Sequence, residues 1–319
     1  ADQLKTVLLY HVISGAKVEA SAVKAGPVDS AADLTFFIGT SGGVSLNGGN
    51  VIEGGANVTA TDVQASNGVI HAIDRVILPP DIPTAAQYGG LTELVKAAGA
   101  AANLSDGTSV LAALQGTGPF TVFAPTNDAF GAITAPSDTA ALRDVLLYHV
   151  VAANVPSASI PAKADSLLQN AWGNPVTLLF GTSSGVQVNT ATVAIADIKT
   201  TNGVVHVVDK VLLPPDIIDM AGIAGLSELA NAIGAAAEVA AGTSVLDALR
   251  AAEPYTVMAP TDAAFQAITA PSDTEVLRDV LLLHVVKGDA PVLSSGLPDG
   301  PVPTLLDGEE LTFDASAPS

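Results

Sequence analysis

All five histidines of this 319-residue chain fall at repeated positions. His71 and His206 lie in "SNGVIHAIDRVILPP" (66–80) and "TNGVVHVVDKVLLPP" (201–215), each three residues ahead of an aspartate, Asp74 or Asp209. His11, His149 and His284 follow the apolar strings "LLY", "LLY" and "LLL". An imidazole close to a carboxylate is raw material for general base catalysis or metal binding. The spacing argues against both uses. On a strand, His206 shares a face with Val204 and Val208 while Asp209 points to the opposite face. The chain has no His-x-x-x-His, no cysteine and no EF-hand loop, so no metal site is expected. The expected role of His71, His206 and His284 is a neutral imidazole, buried in an apolar element and hydrogen-bonded inside the fold.

Two Gly-x-Ser-x-Gly strings, "GTSGG" (39–43) and "GTSSG" (181–185), place Ser41 and Ser183 where a hydrolase carries its nucleophile. That motif works only between a strand and a helix. Here "TFFI" and "TLLF" precede the serines and "VSLNG" and "VQVNT" follow them, so strands flank both sides. The matching string in 314–318, "DASAP", has lost the pattern. Both serines are expected in hairpin turns, and no catalytic residue is assigned. The Gly-rich "NGGNVIEGG" (47–55) lacks the Lys-Ser/Thr of a phosphate loop and precedes no helix.

These residues repeat because the chain does. "GPFTVFAPTNDAFGAITAPSDTAALRDVLLYHVV" (118–151) returns as "EPYTVMAPTDAAFQAITAPSDTEVLRDVLLLHVV" (253–286), a shift of 135 residues. Such a period is domain-sized. The expected division is 1–80, the C-terminal portion of one unit; 84–215, a complete unit; and 219–319, the N-terminal portion of a third. The stretches "PPDIPTAAQYGG" and "PPDIIDMAGIAG" read as short linkers whose paired prolines stop the preceding strand. Within a unit, "GLTELVKAAGAAANL" has helical spacing, and the candidate N-caps are Thr108 or Ser109, Thr126, and Ser137 or Asp138. "PFTVFAP" reads as a strand. "VTLLFGTSSGVQVNT" and "VAIADIKTTNGVVHVVDKVLL" read as hairpins, the second turning at Asn202-Gly203. Helices in front and strands behind make an α+β unit with antiparallel sheets.

Composition narrows the function classes. Apolar residues make up 49% of the chain, enough for packed cores, yet no apolar run reaches membrane-spanning length. Twelve basic residues face 32 acidic ones, a net charge of −20 that repels phosphate backbones and speaks against a nucleic-acid partner. An acidic coat suits bridging by divalent cations such as Ca²⁺, but no motif assigns a site or a cofactor. The absence of cysteine is compatible with either a cytosolic or an exported bacterial protein.

Three motifs in order resemble the fasciclin domain family. "FTVFAPTNDAF" (120–130) and "YTVMAPTDAAF" (255–265) resemble its first conserved box. "LLYHVV" (146–151) and "LLLHVV" (281–286) resemble its Tyr-His box, and "NGVVHVVDKVLLPP" (202–215) its second box. The resemblance implies tandem units, each a wedge-shaped antiparallel β-sandwich with helices packed on one side. It implies a non-enzymatic adhesion or matrix role, secreted or at the cell surface. In some animal members an Asp-Ile dipeptide ahead of the second box is linked to integrin binding. The matching positions are Asp197-Ile198 and Asp62-Val63, and the Tyr-His box supplies Tyr10-His11 and Tyr148-His149 as further binding positions. Leu283 replaces the tyrosine in the third unit. The Ala-rich composition resembles that of bacterial members, where integrins are absent.

The expectation is therefore an adhesive, matrix or biofilm protein contacting protein or glycan surfaces and other copies of itself, as a stalk or polymerising fibre. The rival from another class is a carrier of a small apolar ligand, held in a cleft between sandwich and helices.

Overall fold

The computed structural model describes residues 2–49, 52–105, 107–183, 185–236, 238, 243–251, 254–268, 271–289, 291–293, 296 and 298–314. It falls into two compact units, residues 1–170 with 175–213, and residues 171–174 with 214–319.

The first unit contains two segments. Its larger segment starts with helices α2 (Ile82–Tyr88), α3 (Thr92–Ala100) and α4 (Val110–Ala113), then strand β6 (Phe120–Pro125). Helices α5 (Asn127–Gly131) and α6 (Thr139–Tyr148) follow, capped by the side chains of Thr126 and Asp138 as their sequences predict. Ser109 caps α4 in the same way. The back half supplies β7 (Val150–Val151), β8 (Lys163–Gln169), β9 (Pro175–Gly181), β10 (Gln187–Val188), β11 (Ala191–Thr200) and β12 (Gly203–Val208). Both expected hairpins form, β9 with β10 and β11 with β12.

The seven strands are hydrogen-bonded in the order β10-β11-β12-β6-β7-β8-β9, with β9 returning to β10. All pairs are antiparallel except β12 with β6, which run parallel from Gly203 opposite Phe120 to Val208 opposite Pro125. This pair joins the front half of the segment to its last strand. Its two faces serve two cores. Val122, Ala124, Val205 and Val207 face the helices, packing with Ala86, Leu94, Leu142 and Leu146. Phe123 and Val208 face the other way, against Leu178, Val188, Ala191 and Tyr148. With both faces buried, β12 reads as a continuous apolar run, which is why alternation alone does not reveal its depth.

The smaller segment begins with α1 (Asp2–Tyr10) and then forms β1 (Gly26–Asp29), β2 (Thr35–Gly39), β3 (Ser45–Leu46), β4 (Ala56–Ala65) and β5 (Gly68–Ile73). These five strands pair in sequence order around Tyr10, Phe36, Ile38, Ala56 and Ile77. The second unit comprises α7 (Ile217–Ile223), α8 (Ser227–Ala235), α9 (Val245–Leu249), α10 (Asp262–Gln266) and α11 (Thr274–Leu283) around Leu229, Ile233, Val245 and Leu281. Two small sheets complete it: β13 (Tyr255–Val257) with β14 (Val285–Lys287), and β15 (Gly300–Pro303) with β16 (Glu310–Phe313).

Two expectations need correction. The linkers are not linkers: α2 and α7 occupy them, started by Asp81 accepting from Thr84 N and by Asp216 accepting from Ile218 N and Asp219 N. A seven-residue helix with Pro83 inside its first turn shows too little periodicity to be seen, but it buries Ile82, Ala85, Ala86 and Tyr88. Nor do the paired prolines end the strands. Strands β5 and β12 stop at Ile73 and Val208, and the aspartate that follows each turns back to the neighbouring strand. Asp74 accepts from Asn57 N at 2.8 Å and Asp209 from Thr192 N at 2.7 Å.

The start of β12 has no room for a side chain. A Cβ on Gly203 would lie 2.0 Å from the Phe120 carbonyl oxygen, whereas one on the matching Gly68 meets nothing within 4 Å. Gly203→Ala is therefore expected to cost about 2–4 kcal/mol by forcing β12 off β6, and Gly68→Ala less than about 1 kcal/mol. Urea unfolding of the two variants side by side measures the contrast.

Candidate functional site

The second half of β11 holds the Asp-Ile position. Register shifts between Val193 and Ile195 and between Ile195 and Ile198 mark bulges, and Asp197 sits there at φ +58°. Aspartate tolerates this left-handed conformation better than most residues, particularly when its side chain is tied locally. Its carboxylate accepts from Ser157 N at 2.9 Å and from the Ser157 hydroxyl. Its own amide donates to His206 Nδ1 at 3.2 Å, and His206 Nε2 donates to Val155 O at 2.9 Å. The chain thus pins the bulge to the loop around 155–157 through one imidazole. Asp62 repeats the arrangement at φ +60°, accepting from Ala20 N at 2.9 Å and donating to His71 Nδ1 at 3.4 Å, while His71 Nε2 meets Val18 O at 2.8 Å.

The Tyr-His box is a second internal network. His149 Nδ1 donates to Val145 O at 2.7 Å, and its Nε2 accepts from Leu212 N at 2.9 Å. His11 does the same with Val7 O and Ile77 N, and His284 Nδ1 meets Val280 O at 2.8 Å. His11 and His149 each link the end of a helix to a backbone amide more than 60 positions away. Tyr148 Oη donates to Thr177 O at 3.1 Å and accepts from Asn189 Nδ2 at 2.7 Å. Tyr10 Oη donates to Thr35 O and accepts from Asn47 Nδ2. Asn47 and Asn189 were not legible as network members. Both adopt positive φ, and both accept a strand amide on Oδ1, from Phe37 N and Leu179 N. Their only sequence signal is an Asn at the same point of "SLNGG" and "QVNTA".

Burial decides what these groups do chemically. Tyr10, Tyr148, His149 and His206 have at most 1% of their surface exposed, with polar atoms engaged internally, whereas His71 and His284, expected to be buried, are only partly covered. Burial pushes the Tyr10 and Tyr148 phenols up and the His149 and His206 imidazoles down, His149 to about 4. Burial alone would raise the Asp197 carboxyl, but the Ser157 hydroxyl and amide outweigh it and hold the group below its usual range. His206 and Asp209 do not meet, because Asp209 caps the start of β11. Among the described residues no three His, Asp or Glu side chains converge on a metal position. Ser41 and Ser183 lie exposed in turns between β2 and β3 and between β9 and β10, not at the start of a helix. Ser184, residues 50–51 of the Gly-rich loop and 315–318 of "DASAP" lie outside the described residues.

Ile198 and Val63 have different surroundings. Val63 is half exposed, whereas Ile198 is 3% exposed, in one cluster with Val205 and with Phe37 from the smaller segment. Next to it, Lys199 N donates to Thr35 Oγ1 at 3.0 Å, and Lys199 Nζ reaches Asp33 at 2.6 Å and Asp29 at 3.0 Å. These two carboxylates raise the lysine above its ordinary value. The Asp-Ile position of the larger segment is thus a seat for its neighbour. Asn202 continues the joint: Oδ1 accepts from Ile82 N, and Nδ2 donates to Leu114 O and Gly116 O, while Thr201 N donates to Pro80 O.

The Fasciclin domain family matches residues 1–79, 87–214 and 231–318, and the chain belongs to that family. The protein sll1483 of Synechocystis sp. is 43% identical over 113 residues, covering 32% of this chain and 59% of that protein. Human periostin is 30% identical over 264 residues, covering 80% of this chain and 29% of periostin. Rabbit transforming growth factor-beta-induced protein ig-h3 is 29% identical over 242 residues, 73% of this chain and 33% of that protein. The chain therefore spans between about a third and three fifths of these relatives. A FAS1 domain pair from the insect cell adhesion molecule fasciclin I aligns at 16% identity and a TM-score of 0.41, over 66% of this chain and 80% of the other. Fasciclin domains are associated with cell adhesion and the extracellular matrix. No helix among the described residues is long and apolar enough to cross a membrane.

Two outcomes follow. Phe37→Ala should cost about 3 kcal/mol and uncouple the two segments of the first unit, so that residues 26–73 exchange amide protons faster than 120–208 in hydrogen-exchange mass spectrometry. His149 is held below its unfolded value of about 6.5, so the unfolded chain binds the proton first as pH falls. Its contribution is complete above pH 6.5 and is lost on going down through about pH 4, on the order of 3 kcal/mol. His206 adds in the same direction. NMR of the His149 ring carbons should show a neutral imidazole at pH 5, and a ring protonated there would contradict the assignment.

Proposed function

We propose that this chain is a non-enzymatic adhesion or matrix protein, secreted or held at a cell surface, that works through surfaces presented by repeated fasciclin domains. The observation that carries this reading is the tandem match to the fasciclin family over most of the chain. We take the domains to be 1–80, 84–215 and 219–319, with both halves of a domain present in 84–215. The interlocked pair of segments around Lys199, Phe37 and Asn202 favours an array that transmits contact from one repeat to the next. Its partners are protein or glycan surfaces and further copies of the chain, in a stalk, fibre or biofilm matrix. The conserved-box residues Tyr10, His11, Tyr148, His149, His71, His206 and His284 serve the scaffold. Of the Asp-Ile positions, Asp197-Ile198 serves the joint, and Asp62-Val63 is the one open to a partner.

Charge sets the condition for self-contact. At −20, copies repel at low ionic strength, and screening by salt or bridging by Ca²⁺ removes the barrier. Beads coated with the chain should stay dispersed at about 10 mM salt and clump, or settle on bacterial surfaces, at about 150 mM salt or with added Ca²⁺. Beads that neither clump nor bind any surface under either condition would remove the adhesion reading. Electron microscopy of native material showing isolated monomers alone would remove the fibre.

A further inference from the structure

A cavity of about 300 Å³ opens in the first unit between the end of α2, the start of α5 and the bulged part of β11 beside β12. Its interior is apolar: Ala86, Leu91, Ile198, Val205 and Val207 form the floor, and Phe37 one wall. At the mouth stand Ile195, 38% exposed, and the run Thr126-Asn127-Asp128. The mouth's neutral polar groups are already engaged. Thr126 Oγ1 accepts from Ala129 N, and the Asn127 amide bridges Glu93 N and Gly90 O. Asp128 differs: it is exposed, and its carboxylate has no hydrogen-bond or ion-pair partner among the described residues. Helix initiation does not require an acid at this point. In α10, which begins in the same way after Thr261, the matching residue is Ala263.

An apolar chamber with one free carboxylate at its mouth has the polarity of a receptor for an amphiphilic cation. The chamber favours a tail that leaves water, the carboxylate favours an ammonium or guanidinium over a neutral or anionic head, and the net charge of −20 steers cations inward. At about 30 Å³ per small heavy atom, the volume matches on the order of ten heavy atoms. The bulged stretch of β11 borders the opening through Ile195 and Ile198.

We propose that the cavity between α2, α5 and β11 binds a small alkyl or aryl ammonium, with its tail against Ala86, Ile198 and Val207 and its cationic head at Asp128. This site goes beyond the adhesion reading and does not depend on it.

The test uses the whole 319-residue chain titrated with octylammonium chloride, 1-octanol and sodium octanoate at low salt, followed by calorimetry and by the methyl resonances of Ile195 and Ile198. Octylammonium should bind at least about fivefold more tightly than octanol, with octanoate weakest, and the preference should shrink as salt rises. Asp128→Asn should bring octylammonium down to the octanol level while leaving octanol unchanged. Ile195→Trp, which places an indole across the mouth, should weaken both. Both side chains are exposed, so neither variant is expected to unfold, and a thermal melt confirms that they have not. Equal affinities for the three probes would overturn the proposal. So would an ammonium preference that survives Asp128→Asn, which is what diffuse attraction to an acidic surface produces. Tail binding indifferent to Ile195→Trp would place the ligand elsewhere and overturn it as well.

Discussion

The parallel pairing of β6 with β12 is the constraint on which the larger segment depends. It joins residues some 80 positions apart and supplies strands to two cores at once. Antiparallel hairpins in the back half can form locally, but closing this pair requires the front half to be delivered to the last strand. The structure concentrates its tightest geometry there. Gly203 admits no Cβ beside Phe120, and Asn202 ties the turn to the Leu114 and Gly116 carbonyls just past α4 and to the first residue of α2. The Phe123 ring, stacked 5.5 Å from His206, fills the far side of the same ladder.

Histidine placement follows from that closure. An apolar interior with bulges and helix ends leaves backbone groups that regular ladders cannot satisfy, and a buried amide or carbonyl without a partner is costly. The neutral imidazole offers one donor and one acceptor at fixed spacing. His206 takes the Asp197 amide on Nδ1 and gives Nε2–H to Val155, whereas His149 gives Nδ1–H to Val145 and takes Leu212 on Nε2. The two side chains are opposite tautomers doing one job, bridging two backbone groups that the chain brings together from far apart. Protonation would remove the accepting nitrogen from either bridge, and burial pushes both imidazoles below their ordinary value.

Local features were readable in the sequence wherever a single residue carries the signal. Ser109, Thr126 and Asp138 cap their helices, both Gly-x-Ser-x-Gly strings fall between strands, and the β11–β12 hairpin turns one residue earlier than expected, on Thr201-Asn202, because Gly203 already pairs with Thr200. The parallel closure was not readable, because a strand buried on both faces has no alternation to report its neighbours. Helix α2 was hidden by length and by its proline. The candidate contact position was legible as a place but not as a role. Nothing in "ADIKT" says that Ile198 is covered by Phe37, since that depends on a hairpin 160 residues earlier. The free carboxylate of Asp128 stands out only when its neighbours' hydrogen bonds are known.

The direction of the β6–β12 pair also matters when the protein is pulled. Tension applied across the segment reaches β6 from its amino-terminal side and leaves β12 at its carboxyl-terminal side. Because the strands are parallel, the load slides one past the other and the hydrogen bonds between Gly203–Phe120 and Val208–Pro125 share it. An antiparallel hairpin pulled from its open end would instead lose its bonds one after another, like a zip. A domain built this way yields at the rate of its slowest concerted rupture, and resistance to sudden force becomes a property of strand direction, independent of its resting stability.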